Sequence, residues 1–202
     1  MVTGSEHRGS RSRTRCPQSH KPAPDYQETL ALRNRQRLRH VDLRFLRRIV
    51  RALLQETWQA GSFDLAIYVV AAPEITRLNE TFLHHKGSTD VITFDYAERP
   101  GQAPRLSSSG APNRRSRDRR DACPALLHGE IFVCVDEAVS QACRFRTTWQ
   151  SELVRYVVHG VLHLHGYEDL NSLARRKMKA AEDALVHHLA RQFDFRRLSP
   201  RN

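Results

Sequence analysis

Two histidines, His159 and His163, stand four residues apart in the stretch VVHGVLHLHGYEDL, Val157 to Leu170. On a helix that spacing puts both rings on one face, one turn apart. Two imidazoles so placed can hold one metal ion. Gly166 then offers a left-handed end to the helix and lets the chain turn back. Six residues after His163, Asp169 can return a carboxylate, giving the pattern H-x-x-x-H-x-x-G-x-x-D. Three protein ligands leave a coordination position for water, the arrangement of a catalytic rather than a structural zinc.

A histidine pair at i and i+4 alone is about as often a surface or packing pair. Here it lies in an otherwise apolar helix, where ionisable groups are expensive unless something satisfies them. The glycine and the returning acid therefore carry the reading to a metal. Glu168, beside Asp169, could replace it as ligand or act as a base. His165 falls elsewhere on the helix end and reads as structural. Tyr167 reads as a packing residue, and His187 and His188 as ordinary surface or packing histidines.

Metzincin peptidases use a similar ligand spacing, H-E-x-x-H-x-x-G-x-x-H, with a glutamate after the first histidine as general base. That position is Gly160 here, so a peptidase is the weaker alternative.

The elements that must position these groups can be read from periodicity. TLALRN, Thr29 to Asn34, is a first strand. Asp42 caps a helix whose apolar stripe is Leu43, Leu46, Ile49, Val50, Leu53 and Leu54, with arginines on the solvated side. FDLAIYVVA, Phe63 to Ala71, is a strand. Pro73 opens a short helix, PEITRLNETFL. TDVITF, Thr89 to Phe94, and GEIFVCV, Gly129 to Val135, are strands. Asp136 is expected to cap a helix through EAVSQACRF. The long helix runs from about Thr148 to Leu164. Asn171 or Ser172 caps the last one, through LARRKMKAAEDALVHHLARQF. Helices and strands mix without a regular βαβ repeat, so the expected class is α+β: one domain, a small mixed sheet packed with helices, and the metal site at the end of a buried helix.

The chain has 202 residues and a formal net charge of +11. Residues 1–25 carry five Arg or Lys against Glu6 and Asp25, and residues 101–127 carry six Arg against Asp118 and Asp121. Seven of the eleven excess positive charges thus sit on two segments nearly free of large apolar side chains. We read residues 1–25 as a disordered basic extension, 101–127 as a basic low-complexity insertion in a domain spanning 26–195, and 196–202 as a short tail. Such charge suits a polyanion, nucleic acid first, through loose phosphate contact, and serves solubility equally well. Cys134 and Cys143 read as buried small hydrophobes, and Cys16 and Cys123 fall in the polar segments. No C-x-x-C pair or disulfide framework is evident, so a cytoplasmic setting is expected. No apolar run is long enough for a membrane span.

Three separated blocks resemble one family, the YbeY endoribonucleases, which are rRNA maturation factors. HGVLHLHGYED is similar to their H-G-x-L-H-L-x-G-Y-D-H signature, with Gly160, Leu162, Leu164, Gly166 and Tyr167 in place. LNETFLHHKGSTDVITFDY resembles their L-N-x-x-(F/W) … T-(D/N)-V-(L/I)-(S/T)-F segment, and GEIFVCVDEAVSQA their G-(D/E)-I-x-(I/V) strand and following helix. The resemblance spans most of residues 28–193. It implies a single α+β domain holding one Zn2+ per chain. The activity it implies is metalloendoribonuclease cleavage of single-stranded RNA, in maturing the 3′ end of small-subunit rRNA and in ribosome quality control. The implied partners are that rRNA and the small ribosomal subunit.

Carried over by position, the metal ligands are His159, His163 and Asp169, the last replacing the usual histidine, with Glu168 at the usual aspartate position. A carboxylate there is a legitimate zinc ligand and lowers the net charge of the site. Many members carry an arginine, thought to act at the RNA phosphate, where this chain has Leu83. His84, His85 and Lys86 follow directly and could supply the positive charge. His159 and Lys86 are the expected catalytic residues. Thr89 and Asp90 either brace the metal site or cap the strand start. A ribosome assembly factor with a structural metal and no cleavage is the further alternative, on account of Leu83.

Overall fold

The computed structural model describes residues 28–57, 62–97, 105–106 and 127–199. The expected extension 1–25 and most of the 101–127 segment lie outside these residues, as do Cys16 and Cys123.

Among the described residues five strands form one mixed sheet: β1 (Thr29–Asn34), β2 (Phe63–Val70), β3 (Val91–Asp95), β4 (Arg105–Leu106) and β5 (Leu127–Cys134), in the order β1-β2-β5-β3-β4. β1, β2 and β5 run parallel; β3 runs antiparallel to β5, and β4 antiparallel to β3. Among the described residues five α-helices accompany it: α1 (Leu43–Thr57), α2 (Ala72–Leu78), α3 (Val135–Phe145), α4 (Trp149–Leu164) and α5 (Ser172–Gln192). This is the α+β class that the pattern predicts. The segment expected to be wholly irregular contributes β4, and β5 reaches back two residues further than expected, to Leu127.

Alternation along the strands sorts their side chains between the two sheet faces. Leu65, Ile67 and Val69 of β2 and Leu127, Ile131 and Val133 of β5 join the main core with α1, α4 and α5. Each such fully buried aliphatic contributes about 1.5–3 kcal/mol. Val70, Ile92, Phe94, Phe132 and Cys134 form a smaller cluster with Ile75 of α2.

The expected caps hold at α1 and α5. Asp42 Oδ1 accepts from the backbone N–H groups of Arg44 (2.9 Å) and Phe45 (3.0 Å). Asn171 Oδ1 accepts from those of Leu173 (3.1 Å) and Ala174 (2.9 Å). Asp136 departs from expectation. It lies inside α3, whose N-cap is Cys134, and its Oδ2 accepts from the N–H of Ala72 at 2.8 Å. The carboxylate therefore satisfies the start of α2 rather than its own helix. Cys143 also departs. The buried positions of α3 are Val135, Ala138 and Ala142, and the next residue turns outward, leaving Cys143 exposed while Cys134 is buried. At the C-terminal end, a 3-10 turn over Phe195–Leu198 buries Phe195 and Leu198, and the Leu198 carbonyl accepts from Asp42 N–H at 2.8 Å. The core thus extends past residue 195.

Candidate metal centre

α4 is placed by its apolar side chains and by one glycine. Leu153, Val154, Val157, Val158, Val161 and Leu162 are all buried. Gly160 sits so close to the sheet that a Cβ there would lie 2.6 Å from Ile131 Cγ2 and 3.1 Å from Thr93 Oγ1. The residue that peptidases use as a base therefore faces the sheet in this fold, and has no room for a side chain. His159 and His163 are left on another face of the helix, partly buried. Gly166 takes φ +83°, the left-handed value expected of it.

His159, His163 and Asp169 converge: one ligand atom from each lies within 4.8 Å of the other two. The rings meet at a T, with centroids 4.7 Å apart and Nε2 to Nε2 only 3.1 Å. What the Nδ1 atoms do decides the chemistry. His163 Nδ1 lies 3.1 Å from the Tyr167 carbonyl oxygen, which can only accept, so it carries the proton. His159 Nδ1 lies 2.9 Å from Glu182 Oε2. Burial alone would raise the Glu182 carboxyl, but hydrogen bonds from His159 and Arg155 outweigh it and hold Glu182 below the ordinary glutamate value. Ionised, Glu182 also accepts, so His159 too is protonated at Nδ1. The two Nε2 atoms, 3.1 Å apart, are then both acceptors and cannot bond each other. A cation bound by both resolves this. A tetrahedral ion at about 2.0–2.1 Å from each nitrogen needs them roughly 3.3 Å apart. The donor set fits. Burial, and next the neighbouring His159, push the His163 imidazole below its usual value, with Asp169 opposing.

Glu182 and Arg155 were not anticipated. Arg155 Nη1 donates to Glu182 Oε1 at 2.5 Å and to Asp183 Oδ1 at 2.6 Å, tying α4 to α5 behind the histidines. A signal was available: the buried stripe of α5 is Met178, Glu182, Val186 and Leu189, with one carboxylate among apolar side chains. A carboxylate behind a ligating histidine fixes its tautomer and raises its basicity, and loss of such a partner weakens metal binding 10–100-fold. Glu182→Gln is accordingly expected to lower zinc affinity by roughly that factor in competition with a chromophoric chelator. Unchanged affinity would reduce Glu182 to a packing role.

The other predicted residues fall as follows. Glu168 is not part of the converging group. Tyr167 is exposed, 40% accessible, against the expectation that it packs; its carbonyl is what fixes His163. His165 closes α4 and stays outside the group. His187 is exposed, and His188 hydrogen-bonds Gln192 at 2.6 Å, as expected of peripheral histidines. Asp90 caps the start of β3, accepting from Val91 N–H at 3.0 Å and from Thr89 Oγ1 at 3.1 Å, and its charge also acts on His163. Lys86 is exposed in the loop between Leu83 and β3. That loop is pinned by buried Asn79, which donates from Nδ2 to the Gly87 carbonyl at 2.9 Å. Leu83 ends a π-helical turn (Asn79–Leu83) and packs on the smaller apolar cluster, a place suited to leucine rather than to a cation.

The fold and this centre define an α+β domain with a candidate three-ligand metal site formed by α4 and the segment that follows it. Residues 31–190 match the family described as "Endoribonuclease YbeY", and the chain belongs to that family. The Endoribonuclease YbeY of Salinibacter ruber is 29% identical over 164 residues, 81% of this chain and 94% of that protein. The one from Chlorobium phaeovibrioides is 32% identical over 145 residues, 71% of this chain and 80% of that protein. The solution structure of TM1509 from Thermotoga maritima, 22% identical, superposes with a TM-score of 0.49 over 80% of this chain and 89% of that one. Membership supports an endoribonuclease role, with RNA as substrate. Among the described residues no helix is long and apolar enough to cross a membrane.

Proposed function

We propose that the chain is a zinc-dependent endoribonuclease that cuts single-stranded RNA in the cytoplasm. Its role would be in 3′-end maturation of small-subunit rRNA and in ribosome quality control, with the small ribosomal subunit as partner. The observation that carries the metal-dependent reading is the convergence of His159 Nε2 and His163 Nε2, 3.1 Å apart, with Asp169. The rRNA assignment is supported by the three sequence blocks shared with the family.

In this reading His159, His163 and Asp169 hold one zinc ion. Bound there, it would supply an activated water and polarise a phosphoryl oxygen. Glu182 and the Tyr167 carbonyl keep both rings in the ligating tautomer. Lys86 stands four residues before Asp90 and can neutralise a backbone phosphate, in place of the cation that Leu83 does not provide.

The test compares one labelled RNA as a single strand and as a duplex. Zinc-loaded protein is expected to cut the single strand, lose activity in chelator and regain it with zinc. RNA bound but uncut at every metal concentration would favour a non-cleaving assembly factor instead.

A further inference from the structure

The sheet face opposite α4 holds a second group of residues that the metal site does not use. The β3–β5 register pairs Phe94 with Glu130 and Ile92 with Phe132, while β2–β5 pairs Tyr68 with Phe132. Side chains from three strands therefore share this face. Tyr68 and Phe132 stack with centroids 4.6 Å apart, and Phe132 meets Phe94 edge-on at 5.8 Å. Phe94 in turn touches Phe82 edge-on at 5.3 Å and lies nearly parallel to Tyr96 at 6.4 Å. Phe94 and Phe132 are buried, but Phe82 is 43% exposed and Tyr96 42%. Among the described residues α2 and the π turn pack on this face, Phe82 of that turn reaching Phe94 and leaving the Tyr96 side open.

Exposed Tyr96 and half-buried Tyr68 are held in place. Tyr96 donates to Glu130 Oε2 at 3.0 Å and Tyr68 to Glu130 Oε1 at 3.1 Å, so one carboxylate fixes two rings. Burial, then Glu130, pushes the Tyr96 phenol up to about 12, which keeps it uncharged. Two arginines stand at the Tyr68 end of the face, one of them, Arg35, paired with Glu74 at 2.8 Å, and an imidazole stands at the Tyr96 end. Arg35 lies over the Tyr68 ring at 5.7 Å, Arg33 acts on the same tyrosine, and His128 meets Tyr96 at 5.5 Å. The chain between Leu106 and Leu127 carries five Arg against Asp118 and Asp121. It leaves this face at the partner of Phe94 and returns to it beside His128.

We propose that this face is a stacking platform for the bases of single-stranded RNA, with Tyr96 and Phe82 as its exposed rings. The proposal rests on the endoribonuclease reading for its choice of partner. Aromatic rings stack on any base, and only an unpaired strand offers base faces. A duplex hides them, so the platform would also favour single strands. It lies across the sheet from α4, so it binds substrate without touching the reacting atoms.

The test is fluorescence anisotropy of the full chain with a labelled, nuclease-resistant phosphorothioate oligoribonucleotide. Tyr96→Ala is expected to weaken binding roughly 5- to 150-fold, the range for one stacked base. Tyr96→Phe, which keeps the ring, stays within about twofold of wild type. The slope of affinity against salt is unchanged in both, since stacking releases no counterions. In cleavage assays Tyr96→Ala raises KM and leaves kcat. Wild-type affinity in Tyr96→Ala would overturn the platform alone and leave the face to a protein partner. Equal weakening in Tyr96→Phe would also overturn it, by assigning the effect to the Glu130 hydrogen bond. No binding of any single strand by the wild type would overturn the endoribonuclease reading as well.

Discussion

His163→Ala is expected to lower cleavage of single-stranded RNA by roughly a thousandfold or more, with the fold retained. Losing a partner that merely orients a ligand weakens a site 10–100-fold, and losing the ligand itself does more. The variant leaves one imidazole and one carboxylate, too few to fix an ion against water. It would also remove the bound ion that makes a coordinated water far more acidic than bulk water. The fold has less at stake. The His163 side chain gives up one hydrogen bond to a backbone carbonyl, worth about 1 kcal/mol, and alanine is the best helix former. The measurement is cleavage and zinc content for wild type and variant purified side by side, with circular dichroism as the check on folding. A trace ribonuclease contaminant would act equally in both preparations, so equal rates would remove the nuclease claim. Lost zinc with unchanged structure would tie the activity to the three-residue centre.

The His159–Asp169 pattern was legible because it is local. Helix period, a left-handed glycine and a returning acid all act within eleven residues, and the structure brings those groups within reach of one another. Strands and caps set by short-range pattern were legible for the same reason. What escaped depends on pairings between elements. Glu182 is 23 residues from His159, and their contact exists only because α5 packs along α4. Asp136 had every local mark of an N-cap, yet a long-range donor, Ala72 N–H, took its carboxylate. The aromatic face needed the β3–β5 register, since Phe94, Tyr96 and Glu130 share no spacing that announces them. Leu83, read as a missing cation, is a well-placed apolar residue on a cluster that the sequence did not reveal.

Gly129→Ala is the substitution expected to cost the most stability for a single methyl group. Gly129 pairs with Asp95 of β3 and Leu65 of β2, in the strand flanked on both sides. A Cβ there would lie 2.5 Å from the Phe94 carbonyl oxygen and 2.7 Å from Leu164 Cδ2. The leucine can rotate away, but the carbonyl belongs to the β3 backbone, and moving it strains the ladder. Overpacking of this kind costs about 1–3 kcal/mol, occasionally more, and a backbone obstacle places it at the upper end. The smaller unfolded-state entropy of alanine returns only about 0.4–1 kcal/mol. A loss of about 3 kcal/mol lowers Tm by roughly 6–12 °C in a domain this size. Gly87→Ala is the matched control. Its φ of +90° is strained for alanine, but nothing lies within 4 Å of the added carbon. It should therefore lose only about 1–2 kcal/mol. If thermal melts give the two variants equal Tm, backbone strain and not the Phe94 carbonyl sets the requirement for glycine. If Gly129→Ala is the lower, the effect should also reach the metal centre. Leu164 follows His163 directly on α4, so a displaced Leu164 moves a ligand, and zinc affinity should fall together with Tm.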